Sequence, residues 1–163
     1  MTRIGLLSDT HSYLDPQIFT YFADCDEIWH AGDVGALTII DQLMSFRPLR
    51  VVCGNIDKES RDLTSHLRFT IEGLDIWMTH IGGTPPKYNP IVRPNLQLNP
   101  PDIFICGHSH ILKVTRDRAI NNMLFINPGA AGKTGFHQMR TALRFSLDMG
   151  RVLDMQVLEL GKK

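Results

Sequence analysis

The sequence lacks the long apolar runs and the leader-like segment that mark membrane and secreted proteins. No apolar run approaches the ~20 residues that a membrane-spanning helix requires. The first residues become polar at Ser8 and Asp9, too early for a signal peptide. Repeats and low-complexity tracts are absent as well. We therefore expect no association with a membrane.

Cysteine is scarce. Cys25, Cys53 and Cys106 are widely separated and odd in number, which argues against a disulfide framework and against a CxxC metal site. Cys53 and Cys106 lie inside apolar runs, where we expect small buried side chains. This pattern fits a reducing compartment and predicts a cytoplasmic location.

The chain has no excess of either charge: 17 Lys and Arg residues and 17 Asp and Glu residues give a formal net charge of +0. Nucleic acid and anionic membranes are therefore not expected partners, because proteins that bind them usually carry a basic excess. With 163 residues, 43% of them hydrophobic and 21% charged, we expect one globular domain over residues 1–163. Formation of a homo-oligomer is left open.

Six short apolar runs each stop at a Gly, Asp, Asn or His, and each predicts a buried strand. The runs cover residues 4–7, 27–31, 49–53, 74–78, 102–106 and 124–126, and helices are expected at 16–23 and 36–46. Alternation of strands and helices predicts an α/β fold with a largely parallel sheet. Ligands of such sheets bind beyond the carboxyl ends of the strands, where these polar residues would all lie.

The pattern changes after about residue 112. Strand-like segments follow at 113–118, 123–127, 141–147 and 152–160, with a hairpin turn at 148–150, and we expect them to form antiparallel strands of a second sheet. Six of the nine prolines lie within residues 85–101, a long irregular segment shortly after His80. This segment is either a lid or specificity loop, or a stiff connection.

Seven side chains at the predicted strand ends are candidate metal ligands: Asp9, His11, Asp33, Asn55, His80, His108 and His110. Asp9 and His11 are two residues apart, as are His108 and His110, so each pair is expected to point to one side of a strand end. Seven donors exceed what one tetrahedral zinc needs, and they suit two octahedral or five-coordinate ions. A lone His at a strand end is more often structural, but the clusters together favour metal.

The donor set also indicates which metals and which reaction to expect. Oxygen and nitrogen donors without thiolate favour manganese, iron, cobalt, nickel or zinc, of which we expect manganese first. Two divalent ions, two carboxylates and a bridging hydroxide leave a net charge of about +1 facing an anionic substrate, and ions ~3.5–4 Å apart generate hydroxide at neutral pH and stabilise an in-line displacement. A small phosphate ester is therefore the expected substrate.

The ordered motifs resemble those of the calcineurin-like metallophosphoesterase superfamily over nearly the whole chain. The matching blocks are Asp9-Thr10-His11, Gly32-Asp33, Gly54-Asn55-Ile56-Asp57, Thr79-His80 and Gly107-His108-Ser109-His110. The short length and Asn127-Pro128-Gly129 are similar to the small YfcE-like phosphodiesterase branch. The resemblance implies a four-layer α/β/β/α sandwich, in which two mixed β-sheets are flanked by helices.

The resemblance also implies roles for the seven residues. One metal would be held by Asp9, His11, Asp33 and His110, and the other by Asp33, Asn55, His80 and His108, so that Asp33 bridges the two ions. Asn55 would lie closest to a phosphate oxygen of the substrate. Asp33 and Asn55 are therefore the expected catalytic residues of a phosphodiesterase in which a metal-bridging hydroxide attacks phosphorus.

One position departs from the family pattern. Ile56 replaces the His that usually follows Asn55 and assists phosphate binding or departure of the leaving group. Because Ile cannot donate a proton, and loss of a general acid typically lowers the rate ~10²–10⁴-fold, we expect weak activity on alkyl monoesters. Esters with acidic leaving groups are expected to react better.

Other functions and other residues stay open at this stage. The small retromer subunit has this fold and serves mainly as a protein-binding surface, so a non-enzymatic scaffold is the alternative. A nucleotide-binding domain would need a Gly-rich loop after the first strand, and residues 8–14 contain no Gly. A nuclease is disfavoured by the neutral charge. His30 is expected either to orient a ligand or to pack inside its strand, and Lys87, Tyr88 and Arg93 either to reach substrate or to lie exposed. Asn127 is expected to form a turn, Lys133 and His137 are weaker candidates for lining the cleft, and His66 has no expected role.

Overall fold

The computed structural model describes residues 1–57 and 62–163, and within these ranges it contains three helices and twelve strands. The helices are α1 (Gln17–Tyr21), α2 (Leu37–Phe46) and α3 (Arg93–Leu98). The strands are β1 (Thr2–Leu7), β2 (Glu27–His30), β3 (Leu49–Val51), β4 (His66–Ile71), β5 (Leu74–Thr79), β6 (Gly83–Thr84), β7 (Lys87–Tyr88), β8 (Ile103–Ile105), β9 (Lys113–Asp117), β10 (Met123–Asn127), β11 (Met139–Asp148) and β12 (Arg151–Lys162). None of the helices in the described ranges has the length and apolarity needed to cross a membrane.

Two five-stranded mixed sheets form the centre of the molecule. The first has the order β12-β11-β1-β2-β3, with β1, β2 and β3 parallel and β11 and β12 antiparallel to their neighbours. The second has the order β4-β5-β8-β10-β9, with β5, β8 and β10 parallel and antiparallel strands at both edges. The hairpin of β6 and β7 stands apart from both sheets.

The two sheets pack face to face, and helical segments cover both outer faces. Strands of both sheets supply the interior layer, which includes Leu6, Trp29, Ile76, Ile105 and Phe145. Helices α1 and α2 pack on the outer face of the first sheet through Ile18, Ile40 and Leu43, among others. The outer face of the second sheet packs against Tyr88, Val92 and Leu96. These layers confirm the predicted four-layer α/β/β/α sandwich.

The division of strands between the sheets differs from the sequence-based expectation. The six apolar runs do not form one parallel sheet, because three enter each sheet. The two last strands join the first sheet rather than the second, with β11 pairing along the free edge of β1. Strand β1 is buried from Ile4 onward, so its backbone groups need partners on both sides, and β11 supplies the second set. The edge strand β4 was not anticipated.

The proline-rich segment is more regular than predicted. It contains β7, the second strand of the β6–β7 hairpin, and α3, and it is therefore not an irregular loop throughout. The ring of Tyr88 lies edge-on to Phe104, with 6.1 Å between centroids, so the segment is packed against the second sheet. This packing anchors the hairpin close to the loop that follows β8.

Candidate metal centre

The seven candidate ligands lie on loops that follow strand ends, and these loops meet at one end of the sandwich. Strand β1 ends at Leu7, and strand β8 ends at Ile105, so Asp9, His11, His108 and His110 lie beyond the strands rather than in them. The expected side-chain alternation of a strand is therefore the wrong reason for their convergence. All four of these residues and Asp33 have positive φ: 53° for Asp9, 45° for His11, 55° for Asp33, 69° for His108 and 61° for His110. Left-handed backbone turns the chain sharply and directs these side chains into one gap.

The first group of donors comprises Asp9, His11 and His110. The Oδ1 atom of Asp9 lies 3.2 Å from Nε2 of His110 and 3.7 Å from Nε2 of His11. The three donor atoms are mutually close enough to hold one ion.

The second group comprises Asp33, His80 and His108. The Oδ2 atom of Asp33 lies 3.2 Å from Nε2 of His80 and also 3.3 Å from Nε2 of His11 in the first group. Asp33 is therefore situated between the two groups. Asn55 completes the cluster, with its Oδ1 atom 3.0 Å from Nδ1 of His108.

Apart from the 3.7 Å between Asp9 Oδ1 and His11 Nε2, these separations match those of atoms that share a metal ion. Bonds of ~2.1 Å place neighbouring ligands about 3.0 Å apart in an octahedral shell and about 3.4 Å apart in a tetrahedral one. In the described part of the chain, three buried side-chain atoms lack a hydrogen-bond partner: Asp9 Oδ1, His11 Nε2 and His80 Nε2. All three face the same gap, and an unpartnered buried polar atom is unfavourable unless another species satisfies it. The donor set therefore fits divalent metal.

Hydrogen bonds on the far side of two imidazoles leave their Nε2 atoms free for metal. His80 Nδ1 lies 2.7 Å from the carbonyl oxygen of Ala31, so it carries the proton and donates. His137 Nε2 lies 2.8 Å from the carbonyl oxygen of Gly132, which makes His137 Nδ1 an acceptor for His110 Nδ1 at 3.2 Å. Metal-binding histidines typically have such partners. Sequence reasoning gave His137 only a place in the cleft, because no pattern links it to His110.

Hydrogen-bond donors to the second oxygens hold both carboxylates in place. Asp9 Oδ2 accepts from the Ser8 hydroxyl at 2.7 Å and from the His108 backbone N–H at 3.1 Å. Asp33 Oδ1 accepts from the Ile56 backbone N–H at 3.1 Å. These bonds leave Asp9 Oδ1 and Asp33 Oδ2 facing the gap.

The surroundings favour ionised carboxylates. Burial raises the pKa of Asp9, but hydrogen bonds with His11 and His110 outweigh burial and hold that pKa well below its usual value. Burial likewise raises the pKa of Asp33, whereas hydrogen bonds from His80 and the Ile56 backbone lower it overall. Two negative charges are thus available to divalent ions.

Two further residues fix the loops, and sequence reasoning missed or underestimated both. The buried carboxylate of Asp57 accepts hydrogen bonds from the backbone N–H groups of Val34, Gly35 and Gly54, which ties the loop of Asp33 to the loop of Asn55. Asn127, expected only to form a turn, also donates from its amide to the carbonyl oxygen of Gly107. The fourth position of the Gly54-Asn55-Ile56-Asp57 block was the available signal for Asp57.

His30 connects two ligand-bearing loops without touching a ligand side chain by hydrogen bond. Its Nδ1 atom accepts from the Gly32 backbone N–H at 3.1 Å. Its Nε2 atom lies 3.1 Å from the Thr10 hydroxyl, whose own proton goes to the carbonyl oxygen of Val34 at 2.8 Å. His30 is therefore a neutral imidazole with the proton on Nε2, and burial lowers its pKa to about 4.

The other residues considered in the sequence lie around the site or away from it. Lys133 stacks over the ring of Tyr13 at 4.2 Å. Tyr88 donates its hydroxyl to Asp117 at 2.5 Å and faces away from the ligands. Arg93 lines a separate cleft on α3. His66 starts β4 and accepts from the Trp77 indole at 3.4 Å.

Comparison with known proteins gives a family match over most of the chain. The model of the calcineurin-like phosphoesterase superfamily domain matches residues 2–150. A probable metallophosphoesterase of Methanothermobacter thermautotrophicus is 31% identical over 134 residues, which are 78% of this chain and 76% of the relative. A probable metallophosphoesterase of Mycoplasma pneumoniae is 27% identical over 163 residues, 95% of this chain and 96% of the relative.

Solved structures share the fold at low sequence identity. Vps29 of Entamoeba histolytica in complex with zinc superposes with a TM-score of 0.74 at 18% identity, covering 98% of this chain and 99% of that one. A structure described as a novel archaeal phosphodiesterase superposes with a TM-score of 0.72 at 21% identity, covering 96% of this chain and 99% of that one. At these identities, both similarities support the fold alone.

Replacing His137 by Ala should weaken metal binding. Without its acceptor, His110 Nδ1 loses the bond that orients the ring, and loss of such a partner typically lowers affinity 10–100-fold. Isothermal titration calorimetry of the chelator-treated variant with Mn²⁺ measures the change in affinity. His66→Ala is the matched control and should keep the wild-type affinity, whereas an unchanged affinity in His137→Ala would contradict the assigned role.

His30 should make the metal-free protein less stable in acid. In the unfolded chain a His titrates near 6.5, whereas the folded pKa is about 4. The unfolded state therefore binds more protons in that window, and stability present above pH 6.5 is lost as the pH falls toward 4, by about 3 kcal/mol.

Urea unfolding between pH 7.5 and pH 4.5 with chelator present tests this dependence. The difference in unfolding free energy between wild type and His30→Gln should shrink as the pH falls. The difference in unfolding free energy between wild type and His66→Gln, measured over the same pH range, is the control. A difference for His30 that does not vary with pH would show that folding leaves the pKa of His30 unshifted, which would contradict this assignment.

Proposed function

We propose that this chain, which belongs to the calcineurin-like phosphoesterase superfamily, is a phosphodiesterase that works with two divalent metal ions. The observation that carries the proposal is the convergence of Asp9 Oδ1, His11 Nε2 and His80 Nε2, buried and without hydrogen-bond partners, on one gap between two donor groups. The superfamily is metal-dependent, and its members hydrolyse phosphate esters.

The two donor groups assign the ligands. Asp9, His11, Asp33 and His110 would hold one ion. Asp33, Asn55, His80 and His108 would hold the other, with Asp33 shared because its Oδ2 atom lies within 3.3 Å of a His nitrogen from each group. Bound there, divalent ions would supply hydroxide at neutral pH and offset the charge of the phosphate.

Asn55 would position the substrate, and Asp33 and the ligand imidazoles would keep the metal site in place. Asn55 is exposed and has its Oδ1 atom directed at His108, so its amide N–H₂ is the group that would donate to a phosphate oxygen. Asp33 stays ionised, as its lowered pKa indicates, and would keep its Oδ2 atom between the two ions. Hydrogen bonds restrain the imidazoles of the buried His80 and the half-buried His110, which would keep both rings in place as ligands.

Ile56 favours diesters with good leaving groups over alkyl monoesters. Its side chain is 44% exposed beside Asn55, where a His would be able to reach a leaving oxygen. Because no proton donor occupies this position, the leaving group must depart with little assistance. The archaeal phosphodiesterase that shares the fold is consistent with this substrate class.

We further propose manganese as the working ion and the cytoplasm as the location. The mixed oxygen and nitrogen donors admit manganese, iron, cobalt, nickel or zinc, and the carboxylate oxygens of Asp9 and Asp33 suit Mn²⁺. Cys25, Cys53 and Cys106 are unpaired thiols, which fits a reducing compartment.

A non-enzymatic scaffold is the competing function, because the fold, which Vps29 shares, does not by itself require catalysis. A binding surface has no need of seven converging metal donors and unpartnered buried nitrogens. The two functions therefore make opposite predictions for a metal-dependent assay.

Chelation should abolish hydrolysis of bis(p-nitrophenyl) phosphate, and Mn²⁺ should restore it. Asp33→Asn should lower kcat/KM by at least ~10²-fold, because the neutral amide weakens both metal sites at once. Mass spectrometry of metal content should find two ions per chain in the wild type and fewer in the variant.

Asp154→Asn is a matched control for this substitution. Asp154 is exposed on β12 and has a φ of 56°, close to the 55° of Asp33, so the same chemical change is made on the same backbone conformation. It should leave activity and metal content unchanged. Stoichiometric metal without any hydrolysis of diesters would favour the scaffold.

Replacing Ile56 by His should raise turnover of esters with poor leaving groups. The new imidazole would protonate the departing oxygen, with a gain of up to ~10²-fold for an alkyl ester and little change for a p-nitrophenyl ester. A plot of rate against leaving-group pKa measures the effect as a shallower slope. Ile56→Gln, polar but unable to donate a proton usefully, is the control, and an equal gain in that variant would remove the general-acid explanation.

A further inference from the structure

A cleft of about 360 Å³ opens beside the candidate metal centre. It lies between the β6–β7 hairpin and the start of β9, and Gly107 and His108 form part of its wall. His108 also belongs to the second donor group, so the cleft and the candidate metal site share a side chain. A substrate with its phosphate at the metals would extend one of its organic groups into this cleft.

The floor of the cleft is aromatic. Tyr88 and Phe125 line it, are buried, and lie edge-on to each other with 6.3 Å between centroids. Because the Tyr88 hydroxyl is bonded to Asp117, the ring presents its apolar body to the cleft. Such a floor suits a flat, apolar group.

Exposed isoleucines extend the apolar surface to the rim. Ile81 directly follows His80 and is 38% exposed, and Ile111 directly follows His110 and is 66% exposed. Both line the cleft. Large apolar side chains exposed beside polar ligand loops indicate a binding surface, since solvent contact there is unfavourable in the free protein.

Two lysines make the cleft basic. Lys87 lines it from the hairpin and Lys113 from the start of β9, where Lys113 Nζ lies 3.4 Å from the Thr84 hydroxyl. Among the described residues that line the cleft there is no Asp or Glu. The chain as a whole has a formal net charge of +0, so this positive charge is a local feature.

We propose that this cleft selects the organic arm of the substrate, and that the arm is a flat aryl or heteroaryl group carrying a second negative charge. The inference rests on the proposed phosphodiesterase function. An uncharged arm would satisfy the aromatic floor but would give neither lysine a negatively charged partner, and none of the described residues that line the cleft supplies one. A long polymer would need basic surface beyond the cleft, and the neutral chain does not favour one.

A pair of isosteric diesters tests the charge preference. 4-Carboxyphenyl p-nitrophenyl phosphate and 4-carbamoylphenyl p-nitrophenyl phosphate differ in one charge and share the p-nitrophenyl leaving group. The wild type should prefer the carboxylate by about tenfold in kcat/KM, because two exposed ion pairs each contribute a factor of about two to five. The preference should fall at high salt.

Lysine variants assign the preference to the cleft. Lys87→Met and Lys113→Met should each reduce the ratio of the two kcat/KM values, and the double variant should bring it to about one. Arg118→Met is the matched control, since Arg118 is exposed just beyond the far end of β9 and loses the same charge. It should keep the wild-type ratio. The ratio is independent of metal loading, which affects both substrates equally.

Binding of unreactive analogues keeps this test separate from catalysis. Calorimetry with (4-carboxybenzyl)phosphonate and (4-carbamoylbenzyl)phosphonate should show the same preference and the same loss in the double variant. Hydrolysis of both diesters with a ratio near one would overturn the cleft proposal and leave the phosphodiesterase intact. Absence of hydrolysis, with the binding preference present, would overturn the proposed function alone. Equal binding of both analogues would overturn the cleft proposal in either case.

Discussion

Two buried carboxylates face one gap, and the need to balance their charge is the constraint on which the site depends. Asp9 is fully buried and Asp33 is 2% exposed, yet each leaves one oxygen directed into the gap. Burial of an ionised carboxylate is unfavourable unless positive charge or donors compensate. Hydrogen bonds from Ser8, His108 and Ile56 satisfy one oxygen of each, and imidazoles surround the other. Divalent ions complete that balance more fully than neutral imidazoles do.

The balance requires both sheets, because the first supplies both carboxylates and the second supplies three of the four imidazoles. Loops after β1, β2 and β3 bring Asp9, His11, Asp33 and Asn55, and loops after β5 and β8 bring His80, His108 and His110. Backbone must approach backbone closely where these loops meet. A Cβ added at Gly54 would lie 2.1 Å from the Asp33 backbone nitrogen, and one at Gly107 would lie 2.2 Å from the Ser8 hydroxyl. The packing of the sandwich interior therefore sets the ligand distances.

The strands, the helices and the candidate ligands were predictable from local sequence patterns, whereas pairings and contacts between distant segments were not. Apolar runs that stop at polar residues predicted six strands and the rim on which the seven side chains lie, and helices α1 and α2 fell within the expected ranges. The allocation of strands to two sheets was missed, since β11 and β1 pair across more than a hundred residues and edge choice leaves no local pattern. His137 was underestimated for the same reason, because its contact with His110 joins positions 27 residues apart. The left-handed backbone at Asp9 and His108 was equally invisible to strand periodicity.

The structure separates the residues that would hold metal from those that would choose the substrate. Hydrogen bonds between the loops hold the ligands: the Ala31 carbonyl oxygen accepts from His80, and the Asp57 carboxylate joins the loops of Asp33 and Asn55. Apart from the loop that carries His108, the cleft walls come from the β6–β7 hairpin and the start of β9, which hold none of the other six donors. Side chains such as Lys87 and Ile111 are exposed where they line the cleft, so we expect that they can be replaced without moving a ligand. The fold shared at 18% identity therefore accounts for the layers, while the exposed rim would decide which ester reaches the candidate metal site.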